Sequence, residues 1–147
     1  VNMYEPYTRQ SLPDKEYREL LGSAICVFNS NVAFVIENIL NADDADNFNW
    51  YDLIDLSAGD LSSPIKQTIT KKAGSKIGSL FNTVVQQRNR ILHSFQITET
   101  VSCKQILCTK DKRNHQFLIT EDYLLRFIAD NQKLSELLYA FRKQMTC

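Results

Sequence analysis

Arg88 and His93 are the side chains of this chain best suited to chemistry, and they lie five residues apart in the segment RNRILHSF at 88–95. Arginine is always charged and presents a planar fork that can hold two phosphate oxygens at once. Histidine titrates near neutral pH, so it can take up or release a proton during a reaction. Together they suit cleavage of a phosphodiester, in which imidazole moves a proton and guanidinium stabilises the developing negative charge. One helix supplies only half of such a site, so a second helix or a second chain has to complete it.

Arg88 lies in the middle of the apolar face of the helix that the sequence predicts around it. At about 100° per residue, eight apolar side chains fall within about 80° of Arg88. They are Ile77, Leu80, Phe81, Val84, Val85, Ile91, Leu92 and Phe95. A lone guanidinium is expensive to bury, so we expect either a partner or a solvated gap that it can reach, and Glu37, on an earlier helix, is the candidate partner. A second stripe about 80–160° away is polar, and only its histidine is ionisable; it consists of Asn82, Gln86, Asn89 and His93.

Length and charge limit the classes of function. The 147 residues suit one domain with a sizeable core, and 17 Lys+Arg balance 17 Asp+Glu. This balance excludes a strong basic field over the whole molecule, so any anion site has to be local. We find neither a run of about 20 apolar residues nor the apolar core of a signal peptide, and we expect a cytoplasmic protein without a membrane partner.

The cysteines give little support to a metal site. Cys26 reads as a small core residue, and Cys147 ends the chain. Cys103 and Cys108 lie close to His115, but they provide only three plausible ligands and lack the spacing of a zinc ribbon. We therefore favour reduced thiols and predict neither a metal nor a cofactor.

The order of predicted elements defines an all-α protein. We predict an up-and-down bundle of four to five helices, with a β-hairpin inserted at about 100–119 before the last helix, in one domain over 1–147. Ser11 is predicted to cap the first helix, Gly74 to stop the helix that begins at Ser63, and Thr120 to cap the last one. The predicted helices cover about 11–41, 50–56, 63–73, 75–95 and 120–144.

The motif and its setting resemble the HEPN superfamily, named for higher eukaryotes and prokaryotes nucleotide-binding. Its signature is an Arg, four to six residues and a His, often with Asn directly after the Arg, and Arg88-Asn89-Arg90-Ile91-Leu92-His93 fits the four-residue form. The motif late in a small bundle and an acid on an earlier helix also agree. The resemblance covers most of the chain in helix order, but only the six-residue motif is specific.

The resemblance implies a metal-independent endoribonuclease that works as a homodimer with one shared cleft. His93 would transfer a proton to or from the ribose 2′-hydroxyl or the leaving oxygen. Arg88 would bind the scissile phosphate, and Asn89 would orient either that phosphate or the histidine of the second chain. Glu37 would position Arg88, and the stripe with Asn82 and Gln86 would line the cleft. Arg90 and Ser94 are predicted to support substrate binding. Many family members are toxins or phage-defence effectors that pair with an antitoxin or a sensor.

The chain departs from the family pattern in two places. Some toxin members carry a Tyr two residues after the His as a target for inactivation, and here that residue is Phe95. The hairpin is not part of the minimal bundle. Its cations could touch RNA phosphates, although a solvated turn is the favoured interpretation; they are Lys104, Lys110, Lys112 and Arg113.

Two other interpretations stay open at this point. A non-catalytic HEPN-like module would bind a nucleotide, an RNA or a protein without turnover. A helical interaction domain would use Arg88 only to fix the packing of the bundle, since perturbed ion pairs are often structural. The effects of Arg88→Ala and His93→Ala on stability, binding and cleavage distinguish these interpretations from the enzyme.

Overall fold

The computed structural model describes residues 3–146, and this part of the chain is predominantly helical with one small antiparallel sheet. The prediction of a mainly helical chain is confirmed, while both ends of the predicted domain, with Cys147, lie outside the described residues. The α-helices are α1 (Lys15–Asn41), α2 (Trp50–Asp55), α3 (Ser62–Gln67), α4 (Ile69–Ala73), α5 (Lys76–Leu92) and α6 (Glu121–Met145), and a 3-10 turn covers Ala58–Leu61. The strands β1 (Phe95–Thr98), β2 (Gln105–Lys110) and β3 (Gln116–Leu118) pair in the order β1-β2-β3.

The core lies where α1, α5 and α6 meet. Phe28 of α1 stacks on Phe81 of α5, with ring centroids 6.4 Å apart, and lies 5.9 Å from the ring of Phe127 of α6. All three rings are almost completely buried. Packed aromatic pairs add about 0.5–1.5 kcal/mol beyond the burial of their area, so this cluster fixes the three helices against one another.

A buried amide network joins α1 to α6 next to the aromatic cluster. The Asn31 side-chain amide donates to both the backbone carbonyl (2.9 Å) and the side-chain oxygen (3.0 Å) of Asn131. Ser135 in turn donates its hydroxyl to the Asn31 side-chain oxygen at 2.6 Å. Because buried amides without partners are destabilising, this network selects one register between the two long helices.

Helix α1 is long and apolar enough to cross a membrane when judged by length and composition alone. The core helix of a soluble protein passes the same test; 28% of the most apolar stretch of α1 is buried, and the helix supplies Phe28, Val35 and Ile39 to the core. It also buries Asn31 and Asn38, whose side-chain N–H groups bond within the protein. We therefore interpret α1 as a core helix.

Two predicted helix boundaries were wrong. Helix α1 begins at Lys15 rather than after Ser11, because the carbonyl of Ser11 accepts from Gln96 and the carbonyl of Pro13 accepts from Arg18. The helix predicted over 63–73 is divided at Thr68, whose buried hydroxyl bonds to the carbonyl four residues earlier at 2.7 Å. Such bonds let a side chain compete with the helical backbone.

The inserted β segment has three strands rather than the two of the predicted hairpin. β2 and β3 pair around residues 111–114, as expected, but the run predicted as one strand over 96–110 doubles back on itself. The Glu99 carboxylate makes this turn by accepting from the backbone N–H groups of Val101 (3.3 Å) and Ser102 (2.7 Å). Bonds from Ser102 and Val101 also hold the Glu99 pKa below its ordinary value. Cys103 completes the turn with φ +59°.

Candidate functional site

Helix α5 carries the whole motif, and its predicted apolar face is mostly confirmed. Five of the eight predicted residues are buried, Leu80 is partly buried, and two are exposed. The exposed ones are Leu92 and Phe95, with 54% and 47% of their surface accessible. They lie at the end of α5 and in β1, where the helix no longer faces the core. An exposed apolar pair therefore flanks His93.

Arg88 is half-buried on the aromatic cluster and has no charged partner. Its guanidinium carbon lies 5.0 Å from the centroid of the Phe28 ring. Its Nε is buried and makes no hydrogen bond, and between residues 3 and 146 no carboxylate pairs with it. Its terminal nitrogens also lack partners but stay accessible to solvent. The stem is thus held inside the protein while the fork reaches the surface.

Burial is what perturbs this guanidinium. Burial lowers the Arg88 pKa below its ordinary value, because loss of solvent penalises the charged form. Arginine nevertheless stays charged at any physiological pH. A charged, partly desolvated fork without an internal carboxylate attracts anions more strongly than a fully hydrated one.

The predicted pair between Arg88 and Glu37 does not form in the described structure. Glu37 is exposed and lines a different cleft, together with Tyr139 and Arg142 of α6. Helical geometry explains why. Glu37 follows Phe28 by nine residues, which places it about 180° around α1 from the ring that Arg88 contacts.

His93 is the residue at which α5 ends, and its imidazole is exposed. Its backbone N–H donates to the carbonyl of Asn89 at 2.9 Å, and its own carbonyl accepts from the hydroxyl of Thr109 in β2 at 3.5 Å. Its side chain bonds to no residue of the described range. The helix end is therefore fixed by the backbone, while the imidazole stays available to a ligand.

The remaining predicted site residues divide into two groups. Asn82 and Gln86 are exposed and Asn89 is half-buried, and the side chains of all three are without hydrogen-bond partners in residues 3–146. Arg90 and Ser94 instead support the structure. Arg90 donates to the carbonyl of Lys110 at 2.5 Å, which ties α5 to β2, and Ser94 donates to the Ile91 carbonyl at 2.6 Å as α5 ends.

The polar stripe is longer than the sequence analysis recognised. Ser75 and Ser79 precede Asn82 at the same alternating spacing of four and three residues, which keeps all of these positions on one side of α5. The complete stripe is Ser75, Ser79, Asn82, Gln86, Asn89 and His93. We refer to this set as the polar stripe. The regular spacing is a signal that sequence reasoning could have found.

Charge is unevenly distributed along the neutral chain. Residues 61–98 contain six Lys or Arg and no Asp or Glu, whereas residues 42–60 contain six Asp and no Lys or Arg. Helices α3, α4 and α5 all lie within the acid-free segment. A locally positive segment can attract an anionic polymer even when the overall charge is zero.

Other ionisable clusters give no competing centre. His115, the second histidine, lies 3.3 Å from the carboxylate of Asp111 in the exposed β2–β3 turn. Of Cys103 and Cys108, the first is exposed and the second buried. Across residues 3–146, no three His, Cys, Asp or Glu side chains form a group that could hold a metal ion.

Comparisons of the chain with protein-family models, curated proteins and solved structures found no match. Function is therefore inferred from the Arg88–His93 motif and from the geometry of α5.

Proposed function

We propose that this protein is a metal-independent endoribonuclease of the HEPN type. The observation that carries the proposal is the unpaired fork of Arg88 at the surface of the same helix that presents the exposed imidazole of His93. An internal carboxylate on Arg88 would have supported a purely structural role. The acid-free segment around α5 adds a reason for a phosphate backbone to approach this side of the molecule.

In the proposed reaction the ribose 2′-oxygen attacks the adjacent phosphorus and the bond from phosphorus to the 5′-oxygen breaks. The products are a 2′,3′-cyclic phosphate and a 5′-hydroxyl. The imidazole of His93 accepts the 2′-hydroxyl proton or donates one to the leaving 5′-oxygen. Arg88 binds the non-bridging oxygens and stabilises the charge that develops on them. Asn89, with its free amide, orients the phosphate.

The active unit of this proposal is a homodimer in which two α5 helices face each other, each within a helical bundle. One α5 supplies one guanidinium and one imidazole, and the second set would come from the twofold mate. The exposed Leu92 and Phe95 support this arrangement, because apolar side chains beside a polar stripe suit a contact between two copies. We further propose a cytoplasmic toxin or phage-defence effector, controlled by an antitoxin or a sensor protein.

The test is cleavage of RNA by the purified protein in excess EDTA. We expect products with 2′,3′-cyclic phosphate ends, and we expect His93→Ala to abolish cleavage while the protein stays folded. His115→Ala is the matched control, because it removes the other histidine, which lies in the exposed β2–β3 turn and not on α5. Equal cleavage by wild type and His93→Ala would refute the assignment.

One observation favours the second candidate, a non-catalytic HEPN-like module that binds a nucleotide, RNA or protein. In the described chain nothing orients the His93 imidazole, whereas general bases are usually held by a second group. This candidate predicts saturable RNA binding without products, with binding reduced by Arg88→Ala. The same EDTA reaction, run beside a binding assay, separates the two.

A further inference from the structure

A cleft of about 320 Å³ lies between α3–α4 and the first turns of α5. Its lining combines polar and apolar surface in similar amounts and includes no acidic residue. The lining residues are Ser62, Ile65, Lys66, Thr70, Ser75, Gly78, Ser79 and Asn82. Gly78 lets the two walls approach closely, since a Cβ at this position would lie 3.3 Å from a methyl carbon of Ile65.

The polar side chains that line this cleft form no hydrogen bonds or ion pairs within residues 3–146. Lys66 is exposed and pairs with no carboxylate in residues 3–146, unlike Lys72, which bonds to Asp44 at 2.7 Å. Ser75 occupies the position before α5, yet its hydroxyl makes no capping bond. The side chains of Ser79 and Asn82 likewise bond to no described residue. One cation and several unengaged hydroxyl and amide donors, with no carboxylate among them, form a lining that favours an anion.

The polar stripe of α5 links this cleft to the candidate catalytic residues. Ser75, Ser79 and Asn82 are both lining residues and the first half of the polar stripe, which ends at His93. Asn82 precedes His93 by eleven residues, which is about 16 Å along a helix. At a rise of about 3.4 Å per nucleotide, a stacked strand covers this distance with roughly five nucleotides.

We propose that this cleft binds a phosphodiester of the same RNA strand that His93 and Arg88 would cleave, about 16 Å from the scissile bond. This inference rests on the proposed function and adds a substrate subsite to it. Lys66 supplies a point charge to the phosphate, and the serine hydroxyls and the Asn82 amide donate to its oxygens. The subsite reads the backbone and not the bases, so it makes substrate length, rather than sequence, a determinant of affinity.

The experiment measures binding of fluorescently labelled single-stranded RNA by anisotropy, using His93→Ala protein so that the probe stays intact. We expect Lys66→Gln to weaken binding of a 16-nucleotide RNA roughly fivefold at low salt. It should also reduce the slope of log affinity against log salt by about 0.7, the value for one phosphate contact on a single strand. A 3-nucleotide probe is too short to contact both sites at once, so it should bind more weakly than the 16-nucleotide RNA.

Lys71→Gln is the matched control, because Lys71 is an exposed lysine of the same acid-free segment that does not line this cleft. Equal loss of affinity in the two lysine variants, or none in either, overturns the proposed subsite. Saturation of the cleft by inorganic phosphate, with no dependence on RNA length, also overturns it.

Cleavage by the wild type, measured separately, distinguishes the two proposals. RNA binding that depends on Lys66 and on length, without cleavage, supports the subsite and refutes the nuclease. Cleavage with no change of affinity or KM in Lys66→Gln supports the nuclease and refutes the subsite. A protein that binds no RNA refutes both.

Discussion

Replacement of Arg88 by methionine should stabilise the protein while it removes activity. The guanidinium lies on the Phe28 ring at 5.0 Å, and its Nε is buried without a hydrogen bond. Methionine keeps a flexible apolar stem against the ring and removes the unpaired donor. A residue retained for stability alone would show the opposite response.

The magnitude follows from two opposing contributions. A buried donor without a partner costs about 1–3 kcal/mol, and this cost disappears in Arg88→Met. The contact between the cation and the Phe28 ring contributes about 0.5–1 kcal/mol, and this is lost. Because the side chain is only partly buried, we take the lower end of the first range. The expected gain is therefore small, about 0.5 kcal/mol at most in the free energy of unfolding, or about 1–2 °C in Tm for a chain of this length.

Urea unfolding followed by circular dichroism, at one fixed protein concentration, measures this gain, because a dimer would make stability depend on concentration. Arg90→Met is the matched control: it removes an arginine of the same helix whose bond to the Lys110 carbonyl is formed, so it should lower stability by about 0.5–1 kcal/mol. RNA cleavage should be lost in Arg88→Met. A loss of 1 kcal/mol or more in Arg88→Met would refute the reasoning and identify Arg88 as a structural residue.

Three further predictions concern the framework around the site. Burial is the main cause that raises the Tyr17 pKa above 10.0 in the folded protein. The stabilising contribution of the neutral phenol is therefore complete below pH 10 and is lost as the pH rises through the higher, folded-state pKa. Denaturation measured as a function of pH should show a smaller fall in stability above pH 10 for Tyr17→Phe than for the wild type. Asn31→Leu should lower the free energy of unfolding, measured with urea, by about 2 kcal/mol, because it leaves the Asn131 amide oxygen buried without its partner. Adding Asn131→Leu to this variant should recover part of the loss rather than double it. Gly22→Ala should raise the free energy of unfolding by about 0.5–1 kcal/mol, because alanine has the higher helix propensity and its Cβ would meet open space. Gly74→Ala should lower the free energy of unfolding by about 1 kcal/mol, because φ is +82° there. Thermal denaturation measures both, and equal Tm shifts in the two alanine variants would contradict this.

Local rules in the sequence predicted the elements whose boundaries depend on one side chain and its immediate neighbours. Thr120 was predicted to cap the last helix, and its hydroxyl accepts from the backbone N–H of Tyr123 at 3.1 Å. Gly74 was predicted to stop a helix, and it adopts a positive φ just after α4. Both signals act within four residues, so no tertiary contact has to be known.

Boundaries that depend on distant partners were predicted incorrectly. The true start of α1 reflects the bond from Gln96 to the carbonyl of Ser11, across 85 residues of sequence. The extra turn before β2 is formed by the Glu99 side chain, and its sequence contains none of the Gly, Pro or Asn that usually mark a turn. Neither bond leaves a pattern that periodicity can detect.

The candidate site shows the same limit. The angular positions around α5 correctly predicted Arg88 against the core and the polar stripe beside it, because both depend on one helix. The choice of Glu37 as a partner needed the rotation of α1 relative to α5, and that rotation is set by the aromatic cluster and the amide network. Glu37 lies on the expected helix but on the face of α1 opposite Phe28.

The absence of a carboxylate partner for Arg88 in residues 3–146 favours a functional role for this residue. Arg88 lies on the Phe28 ring, and the residue before it, Gln87, donates its side-chain amide to Asp130 of α6 at 2.9 Å. Because no carboxylate of the described residues pairs with the Arg88 guanidinium, its charge is left to interact with an external anion. The phosphate of the proposed reaction, bound at Arg88 and His93 of one helix, would account for both residues.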